Sequence, residues 1–139
     1  MAQDLVMLAA GTVPDVRGPN HHRRLRSGLR GALWHRPRRV AVEGLSMLPT
    51  LHPGDHLLVV PLPPRTGSLV AVRDPREESR IMIKRAGVVR ADRSVEVVGD
   101  NPDHSTDSRT FGAVPPHLVL GRPVYRYTPP QRAGWLWRA

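Results

Sequence analysis

From residue 39 onward the hydrophobic residues come in short runs cut by turn formers, the pattern of consecutive strands. Runs near residues 40–42, 56–60, 68–72, 80–89, 95–98 and 123–127 each have strand length. Turns separate them: Pro53-Gly54-Asp55, Pro61 to Pro64 with Gly67, Asp74-Pro75, and Ala91-Asp92-Arg93-Ser94. Residues 1–38 lack clean periodicity and are broken by Pro14, Gly18, Pro19 and Pro37, so a short helix over 23–34 is the most they support. The pattern predicts a mostly β fold: one compact core of short antiparallel strands over 39–130, preceded by a basic, irregular or partly helical extension (1–38). A short tail (131–139) follows, and its Gly134-Trp135-Leu136-Trp137 stretch either packs on the domain or touches a partner.

A chain of 139 residues suffices for one domain with a real core, and its 15 prolines and 12 glycines agree with a turn-rich β fold. No cysteine is present, which excludes disulfides, thiolate zinc sites and cysteine nucleophiles. No window approaches the ~20 consecutive apolar residues of a membrane helix. The best N-terminal run, Leu5 to Val13, follows Asp4 with no positive charge ahead of it, unlike a secretory signal. The chain reads as soluble and cytoplasmic, with peripheral attachment to a membrane as the alternative. The net charge of +9 is uneven: residues 1–40 carry eight arginines against Asp4 and Asp15, or +6, and the remainder carries +3. A basic arm of this kind can meet nucleic acid or anionic lipid, or simply be solvated.

Of 21 basic residues only Lys84 is lysine. Arginine serves for surface charge and ion pairs, but it cannot lose its proton in a protein. A lone lysine in that background suggests a position that needs a neutral amine. Strand alternation puts Lys84 on one face with Met82 and Ala86, where desolvation would depress its pKa and make it a base. The alternative is a lysine snorkelling from a strand edge.

Ser46 follows a strand directly, between Leu45 and Met47, with Gly44 before it and Pro49 and Pro53 stiffening the exit. That places a hydroxyl on a rigid bend where the Ser46 N–H can point at a developing oxyanion, although serine in loops is common for other reasons. His52, His56 and His104 lie close in sequence, but their spacing does not demand a Ser–His–Asp arrangement, and His21–His22 has no metal-binding spacing around it. Trp34, Trp135 and Trp137 could sit at a membrane surface or pack on the core.

Gly44-Leu45-Ser46-Met47-Leu48-Pro49-Thr50-Leu51-His52-Pro53-Gly54-Asp55 resembles the nucleophile box of bacterial signal peptidase I and its relatives. Ile83-Lys84-Arg85-Ala86 resembles the family's lysine box. Gly99-Asp100-Asn101-Pro102-Asp103-His104-Ser105-Thr106-Asp107-Ser108-Arg109 resembles its last box. Three boxes in order make the resemblance specific. It implies a serine endopeptidase with Ser46 as nucleophile and Lys84 as general base, and no metal or organic cofactor. It implies further that Ser105 orients the lysine amine and that Asp107 and Arg109 form a supporting ion pair. Gly44 falls where some relatives carry a serine that completes the oxyanion hole, so here the second donor is a backbone N–H or water.

Only 14 residues separate Lys84 from Gly99, where the usual bacterial enzyme carries an insertion. This minimal form resembles the nickel-type superoxide dismutase maturation proteases, which implies removal of the dismutase's N-terminal pro-segment. One alternative is a minimal signal peptidase at the membrane surface. Another is a self-cleaving regulator cut at Ala10–Gly11, for which 45 residues before Ser46 leave little room for a DNA-binding domain. A basic nucleic-acid binder has only charge in its favour, so nucleic acid is not an expected partner.

Overall fold

A computed structural model describes residues 36–139. The expected helix over 23–34, Trp34, His21–His22, the Ala10–Gly11 dipeptide and nearly all of the 1–38 extension lie outside the described residues. Seven strands follow: β1 (Arg38–Ala41), β2 (His56–Val60), β3 (Leu69–Asp74), β4 (Glu77–Val89), β5 (Val95–Val98), β6 (Val119–Thr128) and β7 (Gly134–Trp135). They form one sheet in the order β1-β2-β6-β3-β4-β5, with β7 added on β6, and every pairing is antiparallel. The mostly β expectation is met.

β3 shows why a continuous apolar run marks a centre strand. Leu69, Val70, Ala71 and Val72 are all buried, because the sheet is covered on both faces there. Leu69 and Ala71 enter a core with Val40, Met47, Leu51, Leu57 and Val59. Val70 and Val72 enter a second core with Met82, Ala86, Val95 and Val97. The register pairs Val70 with Lys84 and Val72 with Met82, so Lys84 shares the face of the second core, as alternation predicts.

The bounds of β1 and β3 shift by one or two residues from expectation, while β4, β6 and the tail each show a local cause. β4 begins at Glu77 because the β3–β4 hairpin runs on through an exposed polar stretch with no apolar alternation to reveal it. β6 passes through Pro123, and the missing N–H is accommodated by a register shift between Leu58 and Val59 on its partner. The tail at 131–139 packs on the domain: β7 pairs Trp135 with Tyr125, and Leu136 is buried in the first core.

Candidate active site

The loop after β1 is held from below by two apolar anchors. Met47 and Leu51 are buried in the first core, and the Leu51 N–H donates to the Met47 carbonyl at 2.9 Å. Ser46 therefore sits half-buried at the top of a tight bend. Gly44, just upstream, has φ +73°, a conformation in which any L side chain is strained, and a Cβ there would meet open space. Glycine at this position thus satisfies the backbone, and it offers no side-chain donor. The Ser46 N–H makes no hydrogen bond among the described residues, which leaves it free for an oxyanion.

The segment after β5 clamps this bend. Asn101 N–H donates to the Ser46 carbonyl at 2.8 Å, and Asn101 Nδ2 donates to the Leu45 carbonyl at 3.0 Å. Beside it, Asp100 accepts from Thr50 Oγ1 at 2.6 Å and from Arg85 Nε and Nη2 at 3.2 and 2.6 Å. Asp100 so ties the serine loop to β4 at the residue next to Lys84. Thr50, Arg85, Asp100 and Asn101 all stand within the three sequence boxes, but nothing in residue order announces that they meet.

Lys84 is 4% exposed. Its amine donates to Ser105 Oγ at 3.0 Å, and the Ser105 hydroxyl in turn donates to Asp107 Oδ2 at 2.9 Å. Asp107 is also buried, and accepts from the Gly99 N–H at 3.0 Å and from Arg109 Nε and Nη2 at 2.9 and 3.0 Å. Burial pushes the Lys84 amine below its ordinary value of 10.5; the Asp107 carboxylate opposes this and the Arg80 charge adds to it. For Asp107, burial favours the protonated acid, but the hydrogen bonds from Arg109, Gly99 and Ser105 together hold it well below the usual carboxylate range.

Ser46 and Lys84 line one cleft of about 240 Å³, with residues 40–47 and residues 80–84 contributing most of its walls. β1 pairs only with β2, and in β4 Glu77 and residues 81–84 pair only with β3, with a register irregularity between them. Both strands therefore carry an unpaired edge among the described residues, and both line the cleft. His104 and Thr106 complete the wall from the last box. Elsewhere the histidines serve packing and turns: His56 lies edge-on to Tyr127 at 5.7 Å, and the His52 N–H donates to Asp55 at 2.9 Å. Among the described residues no three His, Asp or Glu side chains converge as a metal cradle requires.

Of the residues singled out in the sequence, Ser46, Gly44 and Lys84 line the cleft. Ser105, Asp107 and Arg109 form the relay behind the lysine.

No protein-family model matches the chain. Two relatives do. The mitochondrial ATP-independent inner membrane protease subunit 1a of Arabidopsis thaliana is 38% identical over 122 residues, covering 68% of this chain and 73% of the relative. Subunit 1b of the same organism is 34% identical over 118 residues, covering 66% and 70%.

Proposed function

The chain belongs to the signal-peptidase-I-like proteases that include these inner membrane protease subunits, and on that premise we propose that Ser46 is its nucleophile and Lys84 its general base. The observation that carries this reading is the one-way relay from Lys84 through Ser105 to Asp107. Because Ser105 spends its proton on Asp107, it can only accept from the lysine. A neutral amine has two protons and one lone pair. With one N–H held by Ser105, the lone pair is left for the cleft, where Ser46 stands.

The chemistry then follows as acyl transfer. Lys84 takes the Ser46 hydroxyl proton as the oxygen attacks a substrate carbonyl, and the negative charge formed on that carbonyl oxygen is accepted by the free Ser46 N–H. The protonated amine passes its proton to the departing amine as the peptide bond breaks, leaving an ester on Ser46. Water, losing a proton to Lys84, hydrolyses the ester and restores the serine. Ser105 positions the amine, while Asp107 and Arg109 hold Ser105. An extended peptide can add to the free edges of β1 and β4, which brings its backbone across the cleft.

The substrate in this reading is a protein precursor with an N-terminal pro-segment, the nickel-type superoxide dismutase precursor first, cleaved in the cytoplasm by the catalytic domain over 39–130. The compactness of the connection from Lys84 to Gly99 supports it: a tight turn in which Ser94 N–H and Oγ both donate to Asp92 Oδ1, at 2.9 and 2.6 Å. A second reading, cleavage of signal-type precursors at a membrane surface, is favoured by Trp135 and Trp137, stacked at 4.7 Å and 60% and 61% exposed. No described helix is long and apolar enough to cross a membrane.

The test is incubation with the dismutase precursor, and separately with a signal-peptide precursor with and without anionic vesicles, reading the new N-terminus by mass. Removal of the dismutase pro-segment supports the first reading. Vesicle-dependent cleavage of the signal-type precursor alone replaces it with the second.

A further inference from the structure

Among the described residues the cleft holds one cation, Arg80, that makes no hydrogen bond or ion pair. Arg76, in the lining, places Nε and Nη2 on the two oxygens of Asp74 at 3.0 and 2.8 Å and lies 5.4 Å over the Phe111 ring. Asp74 also accepts the Arg76 N–H at 2.9 Å, so its carboxylate is filled. Lys84 is engaged by Ser105. Arg80, also in the lining and exposed, makes no hydrogen bond or ion pair with any described residue, although its charge is felt by the Asp74 carboxylate and the Lys84 amine. Glu78 on the same face of β4 and Glu43 on the β1 side of the cleft are not paired with it.

We propose that Arg80 is a specificity residue that receives an acidic side chain of the substrate, three to five residues from the bond that is cut. The proposal rests on the Ser46–Lys84 reading of the cleft. By alternation Arg80, Met82 and Lys84 fall on one face of β4, and at the strand rise of ~3.3 Å per residue the backbone of Arg80 stands roughly 13 Å along the edge from that of Lys84. A peptide laid beside that edge has the same rise. The residue opposite Arg80 is therefore about four positions from the carbonyl held at Ser46. An Asp or Glu there meets an unpaired guanidinium that can take it with two parallel hydrogen bonds. A basic residue at the same position meets like charge.

The probe is a set of synthetic peptides spanning the pro-segment junction of the nickel superoxide dismutase precursor, each with Asp, Ala or Arg at one of five positions on either side of the cut. Cleavage is compared within each enzyme as the ratio of kcat/KM values. In the wild type, Asp three to five residues from the cut is preferred over Ala by about fivefold, the scale of one exposed ion pair. The preference weakens in high salt. In Arg80→Gln the ratio falls to about one at that position only, and in Arg80→Glu it inverts in favour of Arg. An Asp preference that survives Arg80→Gln, or Ser46-dependent cleavage with no acidic preference at any of these positions, overturns the assignment to Arg80 and leaves the dyad standing. Cleavage that persists in Ser46→Ala overturns the dyad reading and this inference together, and no cleavage of any of these peptides by the wild type overturns the dismutase reading and with it the assignment to Arg80.

Discussion

Gly99 lies so close beneath Ser105 that a Cβ on it would fall 2.2 Å from Ser105 Oγ and 2.8 Å from the Ser46 carbonyl oxygen. The glycine is required by this close approach, since its missing side chain lets the Ser46 loop and the lysine's partner meet at one point. Gly99→Ala must displace Ser105, Ser46 or both. Misplacement on the ångström scale costs up to about 100-fold in rate, so kcat should fall at least tenfold while the protein still folds. In the Gly99→Ala background, Ser105→Ala should cost little more, because the contact it removes is already broken. Full additivity of the two losses would show that Gly99 and Ser105 act separately.

The depressed Lys84 pKa sets the pH behaviour of both rate and stability. Cleavage should rise with pH through the folded lysine's value and level off below 10.5. Between the two values the unfolded chain holds a proton that the folded chain does not, so stability also rises with pH across that window. Lys84→Met keeps the volume and removes the titration. Urea midpoints compared at neutral and mildly alkaline pH should show the wild type gaining relative to Lys84→Met. Parallel curves for the two proteins would mean that the amine is not desolvated.

Asp107 carries the opposite linkage. Its contribution is present above the unfolded carboxylate value near ~3.9 and is lost as the pH falls through the lower folded value. Asp107→Ala leaves the Gly99 N–H without its buried acceptor and Ser105 free to rotate. It should destabilise the fold by about 2–4 kcal/mol at neutral pH, with much less difference from wild type in strong acid. Chemical denaturation at the two pH values measures this, and a constant difference would contradict it.

A second buried carboxylate anchors the far end of the serine loop. Asp55 is 0% exposed and accepts from Arg126 Nη1 at 3.1 Å, from Arg132 Nη2, and from the His52 N–H. Removing it leaves the inward-facing Arg126 with only the Thr50 and Arg132 carbonyls and no charge partner, so Asp55→Ala should cost about 3–5 kcal/mol in a thermal or urea melt. A loss below ~1 kcal/mol would mean that solvent already replaces these bonds.

What the chain reveals unaided is what depends on neighbours in sequence. Two-residue alternation placed Lys84 with Met82 and Ala86, and proline and glycine marked the turns around Ser46. The relay through Ser105 was legible through the resemblance of its box. The Asp100 link between Thr50 and Arg85 was not, because it spans 50 residues in one direction and 15 in the other. Nor was it legible that Arg80 makes no hydrogen bond or ion pair among the described residues, since such a cation differs from a paired one only by what the fold brings near it. Arg76, four positions away, is engaged by Asp74.

The measurement that bears most directly on the Ser46–Lys84 assignment is precursor cleavage by Lys84→Arg beside wild type and Ser46→Ala, each shown to be folded by its unfolding transition. Arginine keeps the charge but cannot give up its proton at any working pH. Loss of cleavage by at least ~1000-fold in both variants is the predicted result, as the nucleophile and its base act as a unit. Cleavage by Lys84→Arg at the wild-type rate would contradict the account.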